Sequence, residues 1–154
     1  MAKQKVNTTP FWRFVFLVYC AVMIWLLFFR SESRNLGLPY KELLRQNTSL
    51  VPFYTTRNYL HVLQHSTDRY MRTHCFMNLA GNIVLFIPAG WLLPRLWGWM
   101  RNFFRFFAFC AGVIFLVETA QLFTLLGRFD IDDLILNLLG MVLGFILFAA
   151  RRKK

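Results

Sequence analysis

The chain has 154 residues, of which 57% are hydrophobic, 18% aromatic and only 16% charged, and its formal net charge is +11. That balance excludes a disordered chain and a soluble domain, because too few charged side chains are present to cover a water-facing surface. It defines an all-α membrane protein, a single domain over 1–154 built as a four-transmembrane-helix bundle with a long outer loop between helices 1 and 2.

The predicted spans are about 14–29, 78–96, 103–126 and 131–150, each near the ~20 residues that cross a ~30 Å hydrocarbon core. Lys3, Lys5 and Arg13 precede the first, and Ser31 and Ser33 follow it, as in a signal peptide. The run Trp25-Leu26-Leu27-Phe28-Phe29 is bulky and apolar to its end and offers no A-x-A cleavage pattern, so the span reads as a retained membrane helix. The loop 30–77 follows, too long for a simple connector and so expected to be functional.

Within that loop, LGLPYKELLRQ at 36–46 predicts a short helix after Pro39, and Tyr59–Arg72 predicts an amphipathic helix. Such a helix would lie on the outer membrane surface or cap the bundle. His61 and His65 are four apart, as in helical metal pairs, but the Glu of H-E-x-x-H is missing, and solvated surface histidines are expected. Cys20, Cys75 and Cys110 form no disulfide framework or metal spacing, and only Cys75 is placed to meet solvent.

The second span begins NLAGNIVLFIPAGWLLP, with Asn78 and Asn82 on one helix face, Gly81 beside them for close helix packing and Pro88 as an expected kink. The third contains Glu118 and Gln121, three apart and therefore adjacent. Glu118 falls about 12 Å below the outer boundary at 1.5 Å per residue, where a charge costs roughly 2.5–3.5 kcal/mol even on the most lenient insertion scale. In the fourth, Asp130, Asp133, Asn137, Gly140 and Gly144 form one stripe, whose G-x-x-x-G half admits another backbone. Asp132 lies off that stripe.

The basic residues identify the inner side. Lys3, Lys5 and Arg13, then Arg95, Arg101 and Arg105, then Arg151, Arg152, Lys153 and Lys154 fall on one side of a four-span topology with no acid among them. Purely basic short segments are cytoplasmic, so both termini are expected in the cytoplasm and the seven acids outward. This distribution favours anionic lipid over nucleic acid as the partner of the positive charge.

The polar residues of the last three spans thus converge in an expected chamber open to the outside. Its members are Asn78, Asn82, Glu118, Gln121, Arg128, Asp130, Asp133 and Asn137, with Arg128 as counter-charge to Asp130 or Asp133 or as contact for an anionic ligand. Glu118, Asp130 and Asp133 are candidate oxygen ligands for Mg²⁺ or Ca²⁺. The competing expectation is that the same groups only hydrogen-bond the helices together.

SLVPF at 49–53, GNIVLFIPAGWLLP at 81–94, the E-x-x-Q of Glu118 and Gln121, and GRFDIDDLILNLLGMVLG at 127–144 together resemble the VanZ-like family of bacterial membrane proteins. Ala89 departs from it, since the family more often has Phe there. The resemblance implies an integral protein of the bacterial plasma membrane, a link to teicoplanin resistance, no established enzymatic mechanism, and functional positions at Asn82, Glu118, Gln121, Arg128, Asp130, Asp133 and Asn137. The leading expectation is a non-enzymatic protein binding a lipid headgroup, cell-wall precursor or lipoglycopeptide, without a cofactor. The alternatives are a membrane-embedded hydrolase or transferase with Glu118 as its only candidate base, and an oligomeric transporter or assembly partner.

Overall fold

The computed structural model describes residues 9–29 and 37–152. Lys3, Lys5, Ser31, Glu32, Ser33, Lys153 and Lys154 lie outside the described residues. In chain order the elements are α1 (Thr9–Ile24), continued by a π-helical turn (Trp25–Phe29), α2 (Tyr40–Gln46), β1 (Thr48–Ser49), α3 (Tyr54–His65), α4 (Arg69–Val84) and α5 (Ile87–Leu96). A 3₁₀ turn (Gly98–Arg101), α6 (Phe103–Thr124), β2 (Phe129–Asp130) and α7 (Ile131–Arg152) complete it.

Four helical stretches, Pro10–Phe29, Arg69–Leu96, Phe103–Thr124 and Ile131–Arg152, are long and apolar enough to cross a membrane. Met23, Phe86, Leu93, Phe106, Ile114 and Met141 fill the interior, while Phe14, Leu17, Phe104, Leu116 and Leu147 cover the outside. Helices apolar on both faces are what a lipid solvent requires.

The second span starts at Arg69, nine residues before the expected Asn78. Asp68 causes this: its carboxylate accepts from the backbone N–H of Tyr70 at 2.8 Å and of Met71 at 3.4 Å, capping α4. The amphipathic helix expected through Arg72 therefore ends at His65, and α3 and α4 are separate. One correction follows. Cys75, expected to meet solvent, is buried, as is Cys110, and Cys20 is half-buried; all three are free thiols. His61 and His65 are exposed and stacked, their ring centroids 4.3 Å apart.

Between α4 and α5 the helix breaks at Leu85–Phe86. Pro88 supplies the reason: it has no N–H for the carbonyl of Val84, and its ring crowds that carbonyl. The adjacent Leu85 carbonyl accepts a hydrogen bond from the Tyr19 hydroxyl of α1 at 2.9 Å. A polar group exposed by the break is thereby satisfied within the bundle, as a membrane interior demands.

Helix α7 lies with its backbone against α4 and α5. A Cβ placed on Gly140 would stand 2.1 Å from the carbonyl oxygen of Ile83, one on Gly144 would stand 2.1 Å from that of Ile87, and one on Gly90 would stand 2.0 Å from that of Met141. Gly81, expected to serve the same packing, has open space where its Cβ would be, and Gly90 takes that part instead. We predict that Gly140→Leu or Gly144→Val lowers the thermal midpoint of the detergent-solubilised protein by the equivalent of at least 2–3 kcal/mol, roughly the upper range for overpacking. Gly81→Ala should leave it unchanged, as read by fluorescence-detected size exclusion after heating.

Candidate functional site

The acidic end of α7 is joined to the long loop by backbone pairing. β1 and β2 run parallel, with Thr48 opposite Phe129 and Ser49 opposite Asp130, and the Phe129 N–H donates to the Asn47 carbonyl at 2.9 Å. This register sets the start of α3 over the start of α7.

Two aspartates use that placement. Asp132 Oδ1 accepts from the Phe53 N–H at 2.5 Å and Oδ2 from the Thr56 N–H at 2.8 Å. Asp130 Oδ2 accepts from the Thr55 hydroxyl at 2.6 Å, and its Oδ1 from the Asp132 N–H at 3.0 Å. Asp132 thus caps the first turn of α3, where backbone N–H groups lack helical partners and the helix dipole favours negative charge, and Asp130 holds the same turn through the Thr55 hydroxyl. Asp132, off the expected stripe, is 1% exposed and is the acid that fastens the loop. Phe53 enters α3 through a left-handed conformation, φ 62°, which aims the turn at these carboxylates.

Deeper in the bundle the remaining polar residues form a trio and a pair. Asn82 Nδ2 donates to Asp133 Oδ1 at 2.5 Å and to Asn78 Oδ1 at 3.4 Å. One helical turn further along α7, Asn137 Nδ2 donates to Glu118 Oε1 at 3.4 Å. Glu118 Oε2 and Asn137 Oδ1 are buried without a hydrogen-bond partner; the Asp130 backbone amide lies beside the Glu118 carboxylate without completing a bond to Oε2. A buried acceptor left without a donor costs about 1–3 kcal/mol.

Of the eight expected ligand-binding residues, the structure therefore groups Asn78, Asn82, Glu118, Asp133 and Asn137. Asp130 belongs to the α3 cap. Gln121 turns to α1, donating from Nε2 to the Leu27 carbonyl at 2.7 Å. Arg128 is exposed, above a set in which Glu118, Gln121, Asp130 and Asn137 are each less than 9% accessible. Glu118 and Asn137 are buried, while Asn78, Asn82 and Asp133 are half-buried under the start of α3.

No group of three or more His, Cys, Asp or Glu side chains among the described residues is arranged to hold a metal ion. Of Glu118, Asp130 and Asp133, the candidate oxygen ligands for Mg²⁺ or Ca²⁺, Asp130 is directed to Thr55 of α3 and Asp133 to Asn82. Sequence reasoning missed Thr55, Thr56 and Tyr59. Tyr59, on α3, stands near Asp133, Asp130 and Arg128; burial pushes its phenol up, Asp133 adds to the effect, and Arg128 opposes it. It remains a neutral hydrogen-bonding group at the edge of the set. Its signal was only its spacing within a helix read as generic.

The four long apolar helices define a class, that of small polytopic α-helical membrane proteins. The chain matches the family described as VanZ/LLP1 over residues 16–152, nearly its whole length, and belongs to that family. No curated protein and no solved structure matches it.

Replacing Asp132 by alanine should cost about 2–5 kcal/mol, since two charge-assisted bonds to buried backbone donors are lost. Limited proteolysis should then cut within 47–56 at least tenfold faster than in the parent protein. Arg128→Ala, at an exposed position, should leave both stability and cleavage rate within about 0.5 kcal/mol of the parent.

Proposed function

We propose that this protein is a non-enzymatic component of the bacterial plasma membrane, with both termini in the cytoplasm. Its buried polar set binds an amine- or hydroxyl-bearing headgroup of a lipid, cell-wall precursor or lipoglycopeptide, and that binding lowers susceptibility to teicoplanin-type glycopeptides. One observation carries the reading: Glu118 Oε2 and Asn137 Oδ1 lie unpartnered between α6 and α7. Groups that served only to join these helices would satisfy each other, whereas two free acceptors suit a ligand that brings donors.

The neighbouring residues take roles that follow from their places. Asn82 and Asp133 sit one turn nearer the capped end and orient the ligand; Tyr59 adds a hydroxyl; exposed Arg128 meets an anionic part, such as a phosphate, outside the bundle. Entry requires the start of α3 to release Asp130 and Asp132. The loop is in this reading a lid held by carboxylates.

Glu118→Gln tests the proposal with little change of shape. Glutamine supplies a donor for Asn137 Oδ1, so the variant should fold as well as the parent or better, while the affinity for a donor-bearing ligand falls. With the full chain in nanodiscs, titrated with teicoplanin and with a lipid-linked cell-wall precursor, we expect at least a tenfold loss of affinity for one of them, about 1.4 kcal/mol. Glycopeptide susceptibility of cells expressing the variant should return to that of cells lacking the protein. Unchanged affinity and susceptibility at equal accumulation would leave Glu118 as a helix-joining residue and defeat the proposal.

A further inference from the structure

At the far end of the bundle from Asp130, a cavity of about 370 Å³ opens between α1, α5, the 3₁₀ turn and the end of α7. Arg95, Arg101, Arg151 and Arg152 line it together with Trp12 and Trp91. The segments that build it, 9–29, 85–102 and 145–152, contain no Asp or Glu. Glu118, the acid on α6, is 16 residues beyond Asn102, about 24 Å along a helix. Four guanidinium groups therefore surround one cavity with no Asp or Glu at hand among the described residues.

The arginines are held in place. The Arg95 guanidinium lies 4.3 Å from the ring of Trp12 and 4.9 Å from that of Trp91, while the two indoles meet edge to face at 4.9 Å. Arg151 stands 6.0 Å from the Trp91 ring, and Arg101 Nε donates to the Pro94 carbonyl at 3.3 Å. Stacking on aromatic faces fixes a guanidinium without using its five N–H donors in the plane of the group. A ligand then meets donors that have already lost much of their side-chain freedom.

The position of the cavity selects among anions. Arg95 is the penultimate residue of the span Arg69–Leu96, Arg151 and Arg152 end the span Ile131–Arg152, and Trp12 lies in the first turn of the span Pro10–Phe29. These are the depths at which lipid phosphates sit and tryptophan rings concentrate. Basic pockets between membrane helices at this level suit phosphate-bearing headgroups, and a guanidinium pairs with a phosphodiester through two parallel hydrogen bonds.

We infer that this cavity is a binding site for the headgroup of an anionic glycerophospholipid, independent of the polar set at the opposite end. Arg95 and Arg151 grip the phosphodiester; Arg101 and Arg152 add charge at the rim; Trp12 and Trp91 pack against the glycerol and the first acyl carbons.

The test is native mass spectrometry of the full chain in detergent, titrated with phosphatidylglycerol, phosphatidylcholine or inorganic phosphate. We expect at least a tenfold preference for phosphatidylglycerol over phosphatidylcholine, and at least a tenfold loss of that binding in both Arg95→Gln and Arg151→Gln. Arg45→Gln, which removes an equal charge from exposed α2, should bind as the parent does. Arg151→Gln keeps Arg95 between its indoles, so it reports on binding even where Arg95→Gln fails to fold. Equal loss in Arg45→Gln would reduce the effect to net charge and overturn the inference. So would full binding by Arg151→Gln, or displacement of the lipid by inorganic phosphate at equal concentration, which would make the site one for a soluble anion.

Discussion

The direct backbone contact of α7 with α4 and α5 is the constraint on which the rest of the bundle depends. Only glycine permits carbonyl oxygens of one helix to stand where the other would carry a Cβ, and Gly90, Gly140 and Gly144 supply it from both sides. At that separation short polar side chains span the gap, so Asn82 reaches Asp133 directly. Larger residues at the three positions would push the helices apart and leave those amides and carboxylates with no partner in hydrocarbon. The polar set is a consequence of the packing before it is anything else.

The chain divides its charge along the bundle axis. Carboxylates gather where α3, α6 and α7 meet, with backbone N–H groups as donors to Asp132, a hydroxyl and a backbone N–H to Asp130, and side-chain amides to Asp133 and Glu118. Arg95, Arg101, Arg151 and Arg152 line a cavity at the other end, where indole faces lie against Arg95 and Arg151. The separation keeps the two sets from neutralising each other.

Much of this was legible in the residues, because membrane spans announce themselves by length and composition and a helix face by steps of three and four. The four spans, the helix after Pro39, the break near Pro88 and the Gly140–Gly144 contact were all readable. That Asn82, Glu118, Asp133 and Asn137 converge followed from shared faces; which of them pair did not, and the partner expected for Asp130 or Asp133 was Arg128. What escaped was the work of the loop. A stripe argument leaves Asp132 off the polar face without a partner, since it knows nothing of a helix delivered by a two-residue parallel pairing of Thr48–Ser49 with Phe129–Asp130. Gly81 and Gly90 are equally good small residues on paper; the break at Leu85 decides which one meets α7. Gln121 looked like a member of the site because Leu27, its acceptor, is a backbone carbonyl that no side-chain pattern reveals.

The first span is held to the bundle at three heights. Trp12 packs edge-on against Trp91, Tyr19 donates to the Leu85 carbonyl, and the Leu27 carbonyl accepts from Gln121. Removing α1 would strip the Gln121 amide of its acceptor and the Leu85 carbonyl of the Tyr19 hydroxyl, leaving both polar groups to find new partners in a solvent that offers none. The span that most resembles a cleavable leader is therefore a wall of the folded bundle. A three-span version of this chain would not be a shorter form of the same protein but an incomplete one.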